Sequence, residues 1–141
     1  MAALLVPRKR PCSSCPYRRD VPSGIWSADE YAKLVKFDGD VPEQAAAGAF
    51  GVFLCHQRDG SLCAGWVGCH DMANNLAVRM GHRDLDVDAV LSYVSPLPLF
   101  GSGREAAEHG MRDIASPGPA AQRKARQLLR LRASRERADD R

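Results

Sequence analysis

The chain has 141 residues, with 20 basic and 17 acidic side chains and 45% hydrophobic residues, which suits one domain and excludes both two full cores and a wholly disordered chain. No apolar run is long enough to span a bilayer, and the first ten residues place their apolar stretch before their charges, the reverse of a signal peptide, so a cytoplasmic protein with no membrane partner is expected. The net charge of +3 hides an asymmetry: residues 1–19 carry +5, residues 120–141 carry +5, and the stretch between them carries −7.

Residues 1–11 read as a basic N-terminal arm ending at Pro11, and residues 12–24 as a loop rich in Pro, Ser and Arg. The first helix is predicted from Ser27, which stands three residues before Glu30 in the spacing of a capping box, with Tyr31, Leu34 and Val35 as its apolar face and a stop near Asp38-Gly39. A short helix over 42–47 should end at Gly48. Residues 50–56 read as a strand with Phe50, Val52 and Leu54 on one face, and Asp59-Gly60 as the turn into a second extended piece over 62–67. This β-hairpin would put Cys55 and Cys63 on its two arms.

Asp71 should cap a helix reaching Met80, along which Met72, Leu76 and Met80 recur every fourth residue. Residues 86–94 form another predicted helix, with Val87, Val90, Leu91 and Val94 at i, i+3, i+4 and i+7. A weaker helix over 104–114 follows. Ser116-Pro-Gly-Pro marks a linker, and 120–137 reads as a long basic helix whose narrow stripe is Ala121, Ala125, Leu128, Leu129 and Arg132. The organisation is therefore an arm (1–11), a metal-binding domain (12–115), and a linker with a basic C-terminal helix (116–141).

The five cysteines lie at 12, 15, 55, 63 and 69. An odd number in a reducing compartment argues against a disulfide framework and for metal ligation. Cys12-Ser-Ser-Cys15 brings two sulfurs to one side of a turn, and Cys55 with Cys63 can complete a tetrahedron. Zn2+ is the first expectation for four thiolates, and a [4Fe-4S] cluster is the alternative, since a proline follows Cys15 as it often follows a cluster ligand. Arg8, Lys9, Arg10, Arg18 and Arg19 surround the first pair and would offset its negative charge. His56, Cys69 and His70 are further candidates, as ligands or as groups that orient ligands. His82 and His109 read as surface residues.

Enzyme chemistry finds less support. Zinc nucleobase deaminases pair P-C-x-x-C with an upstream H-x-E, and no H-x-E occurs in this chain. Residues 70–75 with His82 only faintly resemble small His/Asn nucleases, because they read as one helix instead of a hairpin followed by a helix. A thioredoxin-type use of C-x-x-C needs a βαβ setting that the pattern does not contain.

Four motifs carry a resemblance: Pro11-Cys-Ser-Ser-Cys-Pro-Tyr-Arg18, Cys55-His56, Cys63-Ala-Gly-Trp66 and Asn75-Leu-Ala-Val-Arg79. Over about residues 11–80 the chain resembles a family of unknown function found in actinobacteria and their phages. The resemblance implies that Cys12, Cys15, Cys55 and Cys63 belong together with His56 and Trp66 near them, and that Asn75 and Arg79 lie on the helix after the site. It implies no activity.

The expected fold is a mostly α single domain with a small β-hairpin (α+β), stapled by metal and ending in a basic helix. The expected function is a binding module instead of an enzyme, with a nucleic acid or an acidic protein surface, such as a transcription or replication component, as partner. The alternative is an iron–sulfur redox sensor or regulator. Arg123, Lys124, Arg126, Arg130 and Arg132 are the candidate partner-binding residues, unless the helix instead lies along the acidic body of its own chain.

Overall fold

The computed structural model describes residues 4–55, 57, 60–82 and 84–139, the last two without their side chains. Among these, seven α-helices and one 3-10 turn are joined by irregular backbone and isolated bridges, so the chain is mostly helical with little β structure.

Helix α1 (Ala28–Lys36) starts as its capping box requires, with Ser27 Oγ accepting from the Glu30 amide at 3.4 Å. It buries Tyr31 and Leu34 and leaves Val35 exposed. Helix α2 (Val41–Ala47) is capped by Asp40 and closed by Gly48. Its Gln44, only 2% exposed, is a polar hub inside the fold: Oε1 accepts from the Leu76 amide at 2.7 Å, and Nε2 donates to Gly39 O at 3.2 Å.

The segment predicted as a hairpin departs from expectation. Helix α3 (Ala64–Cys69) begins where the second arm should run, and the pairing reduces to one antiparallel bridge, Leu54 with Leu62. The face is also reversed. Phe53 and Cys55 are buried at 5% and 7%, whereas Phe50 and Leu54 are exposed at 57% and 48%. Successive side chains on extended backbone point to opposite faces, and the core took Phe53 for its ring contacts with Tyr17 and Phe37, while Val52, of the expected face, packs half-buried against the core.

The expected helix from Asp71 to Met80 is broken in two. Asp71 caps the 3-10 turn Met72–Asn74, and Asn75 then caps helix α4 (Leu76–Arg79). Asn75 offers a local hydrogen bond that competes with continued helix, which restarts the backbone there. Helix α5 (Val87–Ser92) buries only Val90; Val87, Leu91 and Val94 of its predicted apolar face are exposed.

Helix α6 (Gly103–Met111) lies against α1. Its inner face is small: Gly103, Ala106, Ala107 and Gly110 are all buried. A Cβ at Gly110 would come within 2.0 Å of the Tyr31 ring, so this approach requires glycine. His109, expected at the surface, is half-buried, bonded to Val21 O at 2.9 Å and stacked at a tilt against Phe100.

The arm is paired from residue 5 onward. Leu5 and Pro7 make parallel bridges to Leu85 and Leu62, and the Leu62 amide donates to Val6 O at 3.0 Å. Helix α7 (Pro119–Asp139) docks on the body through Ala121 and Leu128, and its Arg132 guanidinium lies 5.7 Å from the Trp26 ring centre. No helix among the described residues is long and apolar enough to cross a membrane.

Candidate metal centre

Three segments carry four cysteines, which lie near one another as two pairs, Cys15 with Cys63 and Cys12 with Cys55. The knuckle at 12–15 is a tight turn closed by the Cys15 amide on Cys12 O at 2.9 Å. Trp26 Nε1 donates to Ser14 O at 3.0 Å, and Gln57 Nε2 donates to the Ser14 hydroxyl at 2.7 Å, so the turn is held from both sides. The Leu54–Leu62 bridge sets Cys55 and Cys63 beside it, with the Cys63 amide donating to Phe53 O at 2.8 Å. All four thiols are free and buried.

The thiols form a linked series. Cys15 Sγ and Cys63 Sγ stand 4.0 Å apart. Cys12 shares hydrogen bonds with Cys15 and then Cys55, which hold its thiol far below the ordinary range. The same sharing pushes Cys15 and Cys55 upward, with burial adding to the effect in each. Arg8 Nη1 reaches Cys55 Sγ at 3.7 Å, and Arg18 donates to Cys12 O at 3.3 Å while pairing with Asp20 at 2.6 Å. Among the described residues, no group of three or more His, Cys, Asp or Glu side chains is already gathered as it would be around one ion.

Glycine 65 explains the spacing of Cys63-Ala-Gly-Trp66. A Cβ there would lie 2.4 Å from Cys15 Sγ and 2.7 Å from Tyr17 Cβ, so the first turn of α3 can press on the knuckle only without a side chain. The next residue, Trp66, is fully buried and meets Phe37 edge-on; its Nε1 and the Tyr17 hydroxyl are buried with no hydrogen-bond partner among the described residues.

Cys69 ends the helix that Cys63 caps, which separates the two by about 9 Å along the axis. It is half-buried, and burial first, then the charges of Asp38 and Glu105, pushes its thiol up to about 12. Both ring nitrogens of His70 are engaged, with Trp66 O and with Asp38 Oδ1, each at 2.8 Å. Asp38 also accepts from the first two amides of α6, Gly103 at 2.7 Å and Arg104 at 3.0 Å. This half-buried link between α1, α3 and α6 was not visible in the sequence; the only signal was an Asp just after a helix. His56 lies outside the described residues. Asn75 caps α4, and Arg79 closes on Ala73 O at 2.7 Å.

Fold and site together define a small, mostly helical protein with four buried free cysteines arranged as two neighbouring pairs. A model described as a family of unknown function, DUF6283, matches residues 7–135, and the chain belongs to that family. The match runs beyond α6 and takes in most of α7. No curated protein and no solved structure matches the chain.

Proposed function

We propose that this protein is a metal-stapled binding module in which Cys12, Cys15, Cys55 and Cys63 hold one Zn2+. The observation that carries the reading is that four buried free thiols on three separate segments lie near one another as two pairs. The 4.0 Å between Cys15 Sγ and Cys63 Sγ is close to the edge of about 3.8 Å that a tetrahedron of 2.3 Å zinc–sulfur bonds requires. In a [4Fe-4S] cluster each thiolate binds its own iron, which sets the terminal sulfurs further apart and makes one ion the better fit.

Four thiolates around Zn2+ leave two negative charges, and Arg8 and Arg18 stand beside them. Such a centre has no open position for a substrate, so its contribution is folding free energy rather than catalysis. It fastens the knuckle to the segments around Cys55 and Cys63. On that scaffold the basic C-terminal helix is the part that meets an anionic partner.

Elemental analysis and a visible spectrum of anaerobically prepared protein test the reading. One zinc per chain in a colourless protein, lost in Cys55→Ser, is the expected result. A brown protein containing iron would give the site to the iron–sulfur alternative. Full zinc content in Cys55→Ser would overturn the ligand set.

A further inference from the structure

Helix α7 has two faces of different chemistry. Successive residues advance about 100° around a helix, so Ala121, Ala125, Leu128, Arg132 and Arg135 share one side. That side meets the body: Ala121 and Leu128 are buried, Arg132 lies over Trp26, and Arg135 Nη1 donates to Gln57 O at 3.0 Å. Lys124, half-buried, is close enough to Asp20 for its charge to act there.

Arg123, Arg126, Arg130 and Arg137 point the opposite way. They fall within about 60° of one another and extend about 21 Å along the axis, and all four are exposed. Among the described residues, Arg123, Arg126 and Arg130 have no carboxylate partner. From Pro119 through Arg135 the helix contains no acidic residue. A merely solvated helix face is usually laced with i,i+4 pairs of opposite charge; here 126 and 130 repel instead, and an outside anion is what would relieve them.

We propose that this arginine stripe is a docking surface for the sugar-phosphate backbone of duplex nucleic acid, read without regard to base sequence. A rigid row of forked cations matches a regular line of phosphates, and guanidinium is the group suited to phosphate oxygens. The stripe presents no aromatic side chain, so the stacking that single strands use is missing from it. Arg135 joins the far half of the helix to Gln57, two residues from the Cys55 that meets Arg8, so that half of the helix lies near the other basic end of the chain. This assignment rests on the binding-module reading and names its partner.

The test is fluorescence anisotropy of the full chain on a labelled 20-base-pair duplex over a salt series. The wild type should bind and weaken steeply as salt rises. R123Q/R126Q/R130Q should bind at least tenfold less tightly at low salt, and the slope of log K against log salt should fall by about 3, close to one for each lost phosphate contact. K36Q/R104Q/R112Q removes the same charge from the body and should leave the slope unchanged. Equal losses in the two triple variants, or no binding by the wild type, would overturn the proposal. Tighter binding to labelled polyglutamate than to the duplex would also overturn it and give the face to an acidic protein. Zinc content and melting temperature, read on the same samples, tell a failed stripe from a failed metal scaffold.

Discussion

At the residue scale, the site depends on contacts that tolerate no added atom. Gly65 touches Cys15 Sγ and Tyr17 so closely that even a methyl group must displace one of them. Gly65→Ala should therefore lower stability by about 1–3 kcal/mol, as overpacking does, and, on the proposed zinc reading, metal content as well. Thermal melts paired with metal analysis would show this; an unshifted melt with full zinc would mean the knuckle moves freely. Asp38 makes the second sensitive contact. Burial raises its carboxyl, but hydrogen bonds from His70, Gly103 and Arg104 outweigh that and hold it below the ordinary carboxylate range. A depressed carboxylate contributes stability that is fully present above its unfolded value, near pH 4, and lost as pH falls through the lower folded value. Asp38→Ala should cost about 1–3 kcal/mol at pH 7, and its gap from wild type should narrow as pH drops from 4 toward 2. A gap independent of pH would assign the loss to packing alone.

At the element scale, short helices persist here because their ends are capped from near and far. Six to nine residues are too few for a stable isolated helix. Ser102 Oγ accepts from the Glu105 amide at 3.0 Å, while Asp38 takes the two preceding amides of α6 from across the fold. Ser102→Ala should cost about 1 kcal/mol, the usual value of an N-cap side chain, and Ser102→Gly distinctly less. Chemical denaturation with an unchanged slope measures both. Gly110→Val should be worse than either, since its side chain would enter the Tyr31 ring and separate α6 from α1.

At the scale of the whole molecule, the two basic ends meet the same small region. Arg8 reaches Cys55 Sγ, and Arg135 reaches Gln57 O. Helix α7 is thus a clasp with an exposed cationic back, and its attached and free faces are separable by mutation. Deleting residues 118–141 uncovers Trp26 and removes the buried Ala121 and Leu128. Burial of a leucine-sized side chain is worth about 1.5–3 kcal/mol, so the truncated chain should melt several degrees lower. A melting temperature equal to that of the full chain would mean the helix is only tethered.

Local chemistry was legible in the sequence wherever it acts over a few residues. Capping pairs, glycine stops and the C-x-x-C knuckle depend on neighbours in the chain, so Ser27 and Gly48 read correctly and helix α7 was visible in outline. The sequence by itself determined a mostly helical chain with four candidate sulfur ligands and two basic ends. Only the tertiary structure decided which face of residues 50–55 turns inward, that residues 64–69 coil instead of extending, and that α7 packs one side and frees the other. Those outcomes come from competition for a small core between groups distant in the chain. Phe53 and Trp66 won their places through partners such as Tyr17 and Phe37, and no local pattern could rank that contest.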